Sequence, residues 1–271
     1  MISPPRLLSI LDAADGGGAS VEFAGSRAFG THEQRLDVWR PNRSARPLPV
    51  VVFFYGGGWV KGTRAGYAFA GKAFASQGFV AVVPDYRKVP DVRFPAFLRD
   101  GAEAVRWTRD HAPEFGGDPT RIALAGHSAG AYTAAMLALD RRWLAAEGLP
   151  PDTIKAAVGL SGPYDFYPFT SQRAIDALGN AADPRATQPI TFARADAPPM
   201  LLVTSTGDTE VRPRNAEALE AKLRTVGAPV TLRIYPGLSH EAVAMALSRP
   251  FRGKAPVLAD SAAFLHAHLK Q

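Results

Sequence analysis

The stretch 121–139, RIALAGHSAGAYTAAMLAL, decides the fold. It begins with a short apolar run typical of a buried strand and ends in an alanine-rich run typical of a helix. Between them stands Gly126-His127-Ser128-Ala129-Gly130, the G-x-S-x-G pattern that raises a serine on a sharp turn between strand and helix. Because only glycine fits so tight a turn two residues before and after the serine, we predict that Ser128 is an exposed nucleophile. The alternative is a turn serine without a chemical role.

Strands and helices are predicted to alternate along the rest of the chain. Short apolar runs predict strands buried on both faces, at Val50–Phe54, Phe79–Val83, Arg121–Ala125, Ala156–Leu160, Met200–Thr204 and Val230–Tyr235. The piece Leu36–Arg40 adds an earlier strand. Longer segments with helical spacing lie between them, at Gly66–Gln77, Pro95–His111, Ala129–Leu139 and Arg214–Val226. This alternation predicts an α/β fold, with a mostly parallel central sheet and helices on both faces.

Composition sets bounds on the class of protein. The chain has 271 residues, 46% of them hydrophobic and 21% charged, as expected of a folded globular protein. The net charge of +6 comes from scattered basic residues, which predicts a solvated basic surface and no nucleic-acid partner. No stretch reaches the roughly 18 apolar residues of a membrane helix, and the apolar run at residues 7–11 is short for a signal peptide. We therefore expect a cytoplasmic protein without a membrane partner, and the oligomeric state stays open.

A nucleophilic serine needs a base, and the histidines offer one good candidate. His240 follows the predicted strand VTLRIY through the short turn PGLS, so it leaves the carboxyl end of the last strand. His127 lies inside the serine's own turn, where we expect only a packing contact. The remaining histidines lie in the early polar region or in helices. His240 is therefore the predicted base, against the alternative of a surface-loop histidine.

The acid that orients the base is expected between the serine and the histidine in chain order. Asp208 directly follows the strand PMLLVTSTG, at the carboxyl end of the penultimate strand, and is our prediction. The competing carboxylates are Asp165, Asp196 and Glu210. A role in capping a turn is the alternative for Asp208.

Three glycines after the first central strand, in Tyr55-Gly56-Gly57-Gly58-Trp59, expose backbone N–H groups. Preorganised N–H donors aimed at the oxygen that gains charge during attack are usually the largest catalytic contribution. We predict such an oxyanion hole from the amides of Gly57, Gly58 and Ala129. The alternative, a phosphate-binding loop, lacks both GxGxxG and GxxxxGK[ST] at this strand end.

A segment rich in aromatic residues and proline interrupts the alternation at 163–199. We predict a single domain over residues 1–271, in which this insertion forms a cap or pocket wall at the carboxyl ends of the strands. Trp59 and Tyr164 are the predicted pocket residues, with a place in the core as the alternative.

Together these motifs resemble a known family. YGGGW at 55–59, PDYRKVP at 84–90, GHSAG at 126–130, TGDTEV at 206–211 and GLSH at 237–240 are similar to the α/β-hydrolase superfamily, most of all to hormone-sensitive-lipase-like carboxylesterases and arylformamidases. The resemblance covers roughly residues 36–270. It implies hydrolysis of carboxylic esters through an acyl-enzyme, with Ser128, Asp208 and His240 as the triad and with neither metal nor cofactor. These families usually have histidine where this chain has Tyr55, and Tyr86 is expected to steady the loops.

The predicted function is therefore a serine hydrolase that cleaves short-chain or aryl carboxylic esters, with a small-molecule ester as its partner. One alternative is an arylformamidase acting on an N-formyl aryl amide such as N-formylkynurenine. A non-catalytic small-molecule receptor is another, although a receptor is expected to have lost a member of the triad.

Overall fold

The computed structural model describes residues 20–270. The expectation for the N-terminal run at 7–11 falls outside these residues. The strands are β1 Val21–Phe29, β2 Gln34–Pro41, β3 Leu48–Phe54, β4 Val80–Pro84, β5 Gly117–His127, β6 Ile154–Leu160, β7 Met200–Ser205 and β8 Val230–Tyr235. The α-helices are α1 Ala68–Ala75, α2 Ala96–His111, α3 Ala129–Leu139, α4 Arg141–Ala146, α5 Gln172–Leu178, α6 Arg214–Thr225, α7 His240–Met245 and α8 Val257–His268. Short 3-10 helices lie at Ala112–Phe115, Pro184–Thr187, Pro189–Phe192 and Arg249–Lys254.

The strands form one eight-stranded sheet in the order β1-β2-β4-β3-β5-β6-β7-β8. The six strands from β4 to β8 in this order run parallel, whereas β1 and β2 pair antiparallel at one edge. The predicted α/β architecture with a mostly parallel sheet is confirmed. The early strand predicted near Leu36 is confirmed as β2, whereas β1 was not predicted.

Both faces of the central strands are apolar and covered. In β3, Val51 and Phe53 pack into one hydrophobic cluster, while Val50, Val52 and Phe54 pack into a second cluster on the opposite face. A strand covered on both faces reads as a continuous apolar run, which explains why β3 could be predicted from its sequence. The strand predicted at Val230–Tyr235 is confirmed as β8, but the expectation that both of its faces are buried was wrong, because β8 is an edge strand and most of its residues are partly or fully exposed.

Helix α3 lies at the centre of the molecule. All eleven of its residues are buried, and it contacts β3, β5 and β6. Its alanines explain this position, because small side chains let a helix pack closely against a sheet. The N-terminus of α3 is therefore fixed against the carboxyl ends of the central strands, where Ser128 lies.

Within residues 20–270, no helix has the length and apolar character needed to cross a bilayer.

Candidate active site

Ser128 stands on a strained turn between β5 and α3. Its backbone has φ 56° and ψ −122°, outside the regions that side-chain-bearing residues prefer. The two flanking glycines permit the turn. A Cβ on Gly126 would lie 2.4 Å from the carbonyl of Gly130, and a Cβ on Gly130 would lie 2.0 Å from the carbonyl oxygen of Phe54. Close contacts with the backbone therefore require glycine two residues before and two residues after Ser128, as the sequence predicts.

Ser128, His240 and Asp208 form a continuous hydrogen-bonded chain. The Ser128 Oγ is 2.8 Å from His240 Nε2, and His240 Nδ1 is 2.9 Å from Asp208 Oδ2. Because an ionised carboxylate only accepts, His240 Nδ1 carries the proton and Nε2 is free to accept from the serine. The structure therefore brings together the three residues that the sequence singles out, in a geometry suited to proton transfer from Ser128.

The loop after β7 holds Asp208 in its ionised form. Asp208 Oδ1 accepts hydrogen bonds from the backbone N–H groups of Glu210 and Val211, at 3.1 and 2.9 Å. Burial opposes ionisation, but the contacts with His240, the hydrogen bond from the Val211 N–H and the nearby Ser161 hydroxyl outweigh it and lower the pKa of Asp208. A buried aspartate that stays charged can stabilise a positively charged imidazole beside it.

The competing carboxylates lie away from His240 or point elsewhere. Asp196 is exposed and pairs with Arg141 and Arg194. Asp165 lies in the insertion, where its backbone N–H donates to Asn215 Oδ1 at 3.2 Å. Glu210 lines the pocket with an exposed side chain, and its carboxylate makes no hydrogen bond to His240 in the part of the chain described.

His127, predicted only as a packing contact, joins two parts of the site. Its Nε2 lies 3.0 Å from the backbone carbonyl of His240, and its Nδ1 lies 3.2 Å from the Tyr67 hydroxyl. Burial, together with the neighbouring His240, lowers the pKa of His127 to about 3, so the ring is neutral at ordinary pH. No pattern in the sequence indicated Tyr67, because its contact with His127 spans sixty residues of chain.

The glycine loop lies beside Ser128 and turns in conformations that glycine adopts readily. Gly57 and Gly58 have φ values of 142° and 60°. The Gly57 carbonyl accepts from the N–H groups of Val60 and Lys61, which closes the loop. Across residues 20–270, the amides of Gly57, Gly58 and Ala129 donate no hydrogen bond, and all three residues line the pocket that contains Ser128. These amides are therefore available to an oxygen bound there.

Tyr55 stands where the families that this chain resembles have histidine, and it anchors the glycine loop. Its hydroxyl lies 3.0 Å from Asp85 Oδ1 and accepts from Lys88 Nζ, also at 3.0 Å. Its ring stacks on Tyr86, whose hydroxyl donates to the Tyr55 carbonyl at 3.0 Å. The backbone and guanidinium of Arg64 also bond Asp85. The tyrosine hydroxyl thus ties the glycine loop to the PDYRKVP segment.

The pocket above Ser128 encloses about 1250 Å³. Trp59 lines it and stacks on Phe166 of the insertion, with ring centres 6.2 Å apart. Tyr164 does not line it: this side chain is fully buried in the core beside α3, and its hydroxyl lies against Gly159 and Gly162. The structure corrects the prediction for Tyr164 in favour of its core alternative. Residues 170–174 of the insertion form one wall of the pocket.

Comparisons with known proteins agree with this fold. Over 99% of both chains, the structure superposes with a TM-score of 0.77 and 23% identity on EstE1, a thermostable carboxylesterase cloned from a metagenomic library. A likeness at this level of identity defines the fold class, which is that of the α/β-hydrolases.

The sequence comparisons define the family. Residues 36–223 match the BD-FAE family, and the chain belongs to that family. The chain is 34% identical over 228 residues to the esterase LipC of Mycobacterium tuberculosis, which covers 76% of this chain and 56% of LipC. It is 28% identical over 260 residues to the isoprenylcysteine alpha-carbonyl methylesterase ICME of Arabidopsis thaliana, covering 86% of this chain and 59% of that protein. The chain thus spans little more than half the length of these relatives.

Proposed function

We propose that the protein is a carboxylesterase-type serine hydrolase that cleaves short-chain or aryl carboxylic esters through an acyl-enzyme. Ser128 is the nucleophile, His240 the general base and acid, and Asp208 the residue that orients the imidazole. The amides of Gly57, Gly58 and Ala129 form the oxyanion hole. The observation that carries the proposal is the hydrogen-bonded chain Ser128–His240–Asp208 at the floor of a large pocket.

In the first half of the reaction, His240 Nε2 takes the Ser128 proton as Oγ attacks the ester carbonyl carbon. The carbonyl oxygen gains the negative charge and accepts hydrogen bonds from the three amides. When the tetrahedral intermediate collapses, the bond to the leaving oxygen breaks and His240 gives that oxygen the proton. The products of this half are an alcohol and an acyl-serine.

Water then repeats the sequence on the acyl-serine. His240 removes a proton from the water as its oxygen attacks the acyl carbon, and the same amides hold the new oxyanion. Collapse returns the proton to Ser128 Oγ and releases the carboxylic acid. Asp208 stays ionised throughout and stabilises the imidazolium that forms in each half. No step of this sequence draws on a metal or cofactor.

The aromatic residues beside Ser128 support the proposed substrate class. Trp59 and Phe166 line the pocket as a stacked pair of aromatic rings, with Trp59 almost wholly buried and Phe166 half-buried. Such rings suit an aryl group or a short acyl chain. The relatives named above are esterases, which favours an ester over the formyl amide of the alternative. A receptor is disfavoured because the hydrogen-bonded chain is complete. A cytoplasmic location remains a prediction, and cell fractionation tests it.

The first experiment is hydrolysis of p-nitrophenyl esters of increasing acyl length, with N-formylkynurenine alongside. Wild type and Ser128→Ala are compared, because triad members act as a unit and loss of the nucleophile removes roughly six orders of magnitude of turnover. We expect Ser128-dependent cleavage, fastest for short or aryl acyl groups. Cleavage of the formyl amide alone would replace the proposal by the amide alternative. A folded protein with no activity on either class would favour the receptor.

A further inference from the structure

Three arginines line the pocket above Ser128. Arg173 belongs to α5 in the insertion, Arg212 lies in the loop between Asp208 and α6, and Arg214 is the first residue of α6. Within residues 20–270, no carboxylate oxygen lies close enough to a guanidinium nitrogen of these three arginines, 4.0 Å or less, to form an ion pair. By contrast, Arg224 of the same helix α6 pairs with Glu220. The pocket therefore presents guanidinium groups whose charge the protein does not neutralise at close range.

The remaining charged groups of the lining leave the pocket positive. Lys61 adds a fourth cation, while Glu210 and Glu241 are the acids of the lining, so the formal charge is +2 with the histidines neutral. These four cationic and two acidic residues are all exposed to solvent. A concave site lined by one sign of charge concentrates the electrostatic field and attracts ligands of the opposite sign. A pocket with this balance favours an anionic ligand.

Arg173 lies directly over the glycine loop. A Cβ placed on Gly58 would be 2.9 Å from Arg173 Cδ and 3.6 Å from its Nη1. The guanidinium is thus next to one of the three amides assigned to the oxyanion hole. An ester whose carbonyl oxygen rests on these amides places its neighbouring substituents beside Arg173.

We propose that the substrate carries a carboxylate in addition to the ester, and that this carboxylate is bound by one or more of Arg173, Arg212 and Arg214. This inference rests on the proposed esterase function. Arginine suits the task, because its planar fork of N–H donors matches a carboxylate and stays charged at any working pH. The carboxylate lies either on the acyl part, as in a monoester of a dicarboxylic acid, or on the alcohol part.

Two matched pairs of esters test the inference. On the acyl side, mono-p-nitrophenyl adipate is compared with p-nitrophenyl hexanoate, which has the same chain length without the carboxylate. On the alcohol side, 4-acetoxybenzoate is compared with its methyl ester. Rates with Ser128→Ala give the uncatalysed background. We expect kcat/KM at low salt to favour the anionic member of at least one pair by about tenfold or more, and added salt to reduce that preference.

Single substitutions of the three arginines to glutamine identify the residues responsible. At least one of Arg173→Gln, Arg212→Gln and Arg214→Gln should lower the ratio of anionic to neutral kcat/KM by about tenfold. Arg224→Gln is the matched control: it changes the net charge equally on α6 but lies outside the pocket, so the ratio should not change. Circular dichroism confirms that each variant is folded.

The outcomes separate this inference from the function on which it rests. Ser128-dependent cleavage of neutral esters without preference for either anionic partner overturns the inference and leaves the esterase intact. A preference that all three pocket variants retain, or that Arg224→Gln loses equally, also overturns it, because bulk charge then explains the effect. If no ester is cleaved in a Ser128-dependent way, both the carboxylate inference and the proposed esterase function are overturned.

Discussion

The backbone carbonyl of His240 lies 3.0 Å from Nε2 of His127, the residue immediately before Ser128. A carbonyl only accepts, so Nε2 of His127 carries the proton and Nδ1 accepts from the Tyr67 hydroxyl. One buried side chain therefore connects the turn that bears Ser128 to the start of the helix that bears His240. The distance between Ser128 Oγ and the His240 imidazole depends on this connection as well as on the triad itself.

Replacing His127 by Ala should lower kcat with little change in KM. The substitution leaves the His240 carbonyl and the Tyr67 hydroxyl without their partner, so the base is held less firmly against Ser128. Small displacements of catalytic groups cost up to about a hundredfold in rate, and we expect a loss of tenfold to a hundredfold. The measurement is steady-state kinetics on a p-nitrophenyl ester. His127→Gln, whose amide can still donate to the carbonyl, should recover part of the rate, and equal losses in both variants would contradict a positioning role.

Because of His127, the protein should also be less stable in mild acid than at neutral pH. Its pKa is about 3 in the folded protein because of burial, against about 6.5 in an unfolded chain. Between these values the unfolded state binds a proton that the folded state does not, so stability is complete above pH 6.5 and falls as pH decreases toward 3. From pH 7 to 5 this group alone removes about 2 kcal/mol from the free energy of unfolding.

Urea unfolding at pH 5, 6 and 7 measures this contribution. His127→Gln lowers stability at every pH through lost contacts, so the informative quantity is the slope of the unfolding free energy against pH. The variant should lose about 2 kcal/mol less than wild type between pH 7 and 5. Parallel curves for the two proteins would show that His127 does not resist protonation.

Replacing Asp208 by Asn should lower kcat by about 10⁴-fold with the fold intact. Asparagine has the same shape, but its amide can donate to His240 Nδ1, which favours the tautomer that cannot accept the serine proton. Asp165→Asn is the matched control, because Asp165 competed for the role on sequence grounds and makes no contact with His240 among the described residues. Kinetics of both variants on one ester decide the assignment. A larger loss in Asp165→Asn would reverse it.

The fold was predictable because its central strands are covered on both faces. β3 to β7 read as continuous apolar runs, and their carboxyl ends place Ser128 and Asp208 at the same edge of the sheet. Chain order then singles out His240 after β8. These inferences need only the position of each residue relative to its own strand, which local sequence supplies.

Features that depend on long-range packing could not be predicted in this way. β1 is an edge strand with many partly exposed residues, and β8 at the other edge is mostly half-buried or exposed although four of its six residues are apolar. Tyr164 and Phe166 lie two residues apart in the same aromatic-rich segment. The ring of Tyr164 is buried in the core beside α3, whereas Phe166 lines the pocket. Burial of one aromatic and exposure of the next follow from the tertiary path of the insertion.

Replacing Tyr55 by Phe should destabilise the protein and slow the reaction together. The buried hydroxyl contacts both Asp85 and Lys88, and removing a partner from buried polar groups costs about 1–3 kcal/mol. Because these bonds hold the glycine loop, we expect kcat to fall by about tenfold as well. The control is Tyr235→Phe, which removes a hydrogen bond to Asp260 outside the pocket. That variant should lose stability but not kcat, and equal kinetic effects would argue against an anchoring role for Tyr55.

Replacing Gly57 by Ala should lower kcat by about 10²-fold to 10³-fold while KM changes little. Gly57 has φ 142°, and an added Cβ would lie 2.1 Å from the carbonyl oxygen of Lys61, so the backbone must shift and carry the Gly57 and Gly58 amides with it. Loss of one oxyanion donor has an effect of this size. Gly116→Ala is the control: it has φ 76° but no atom within 4 Å of its Cβ position. It should cost about 1 kcal/mol of stability and no activity, and a Gly57→Ala enzyme with wild-type kcat would remove this loop from the oxyanion hole.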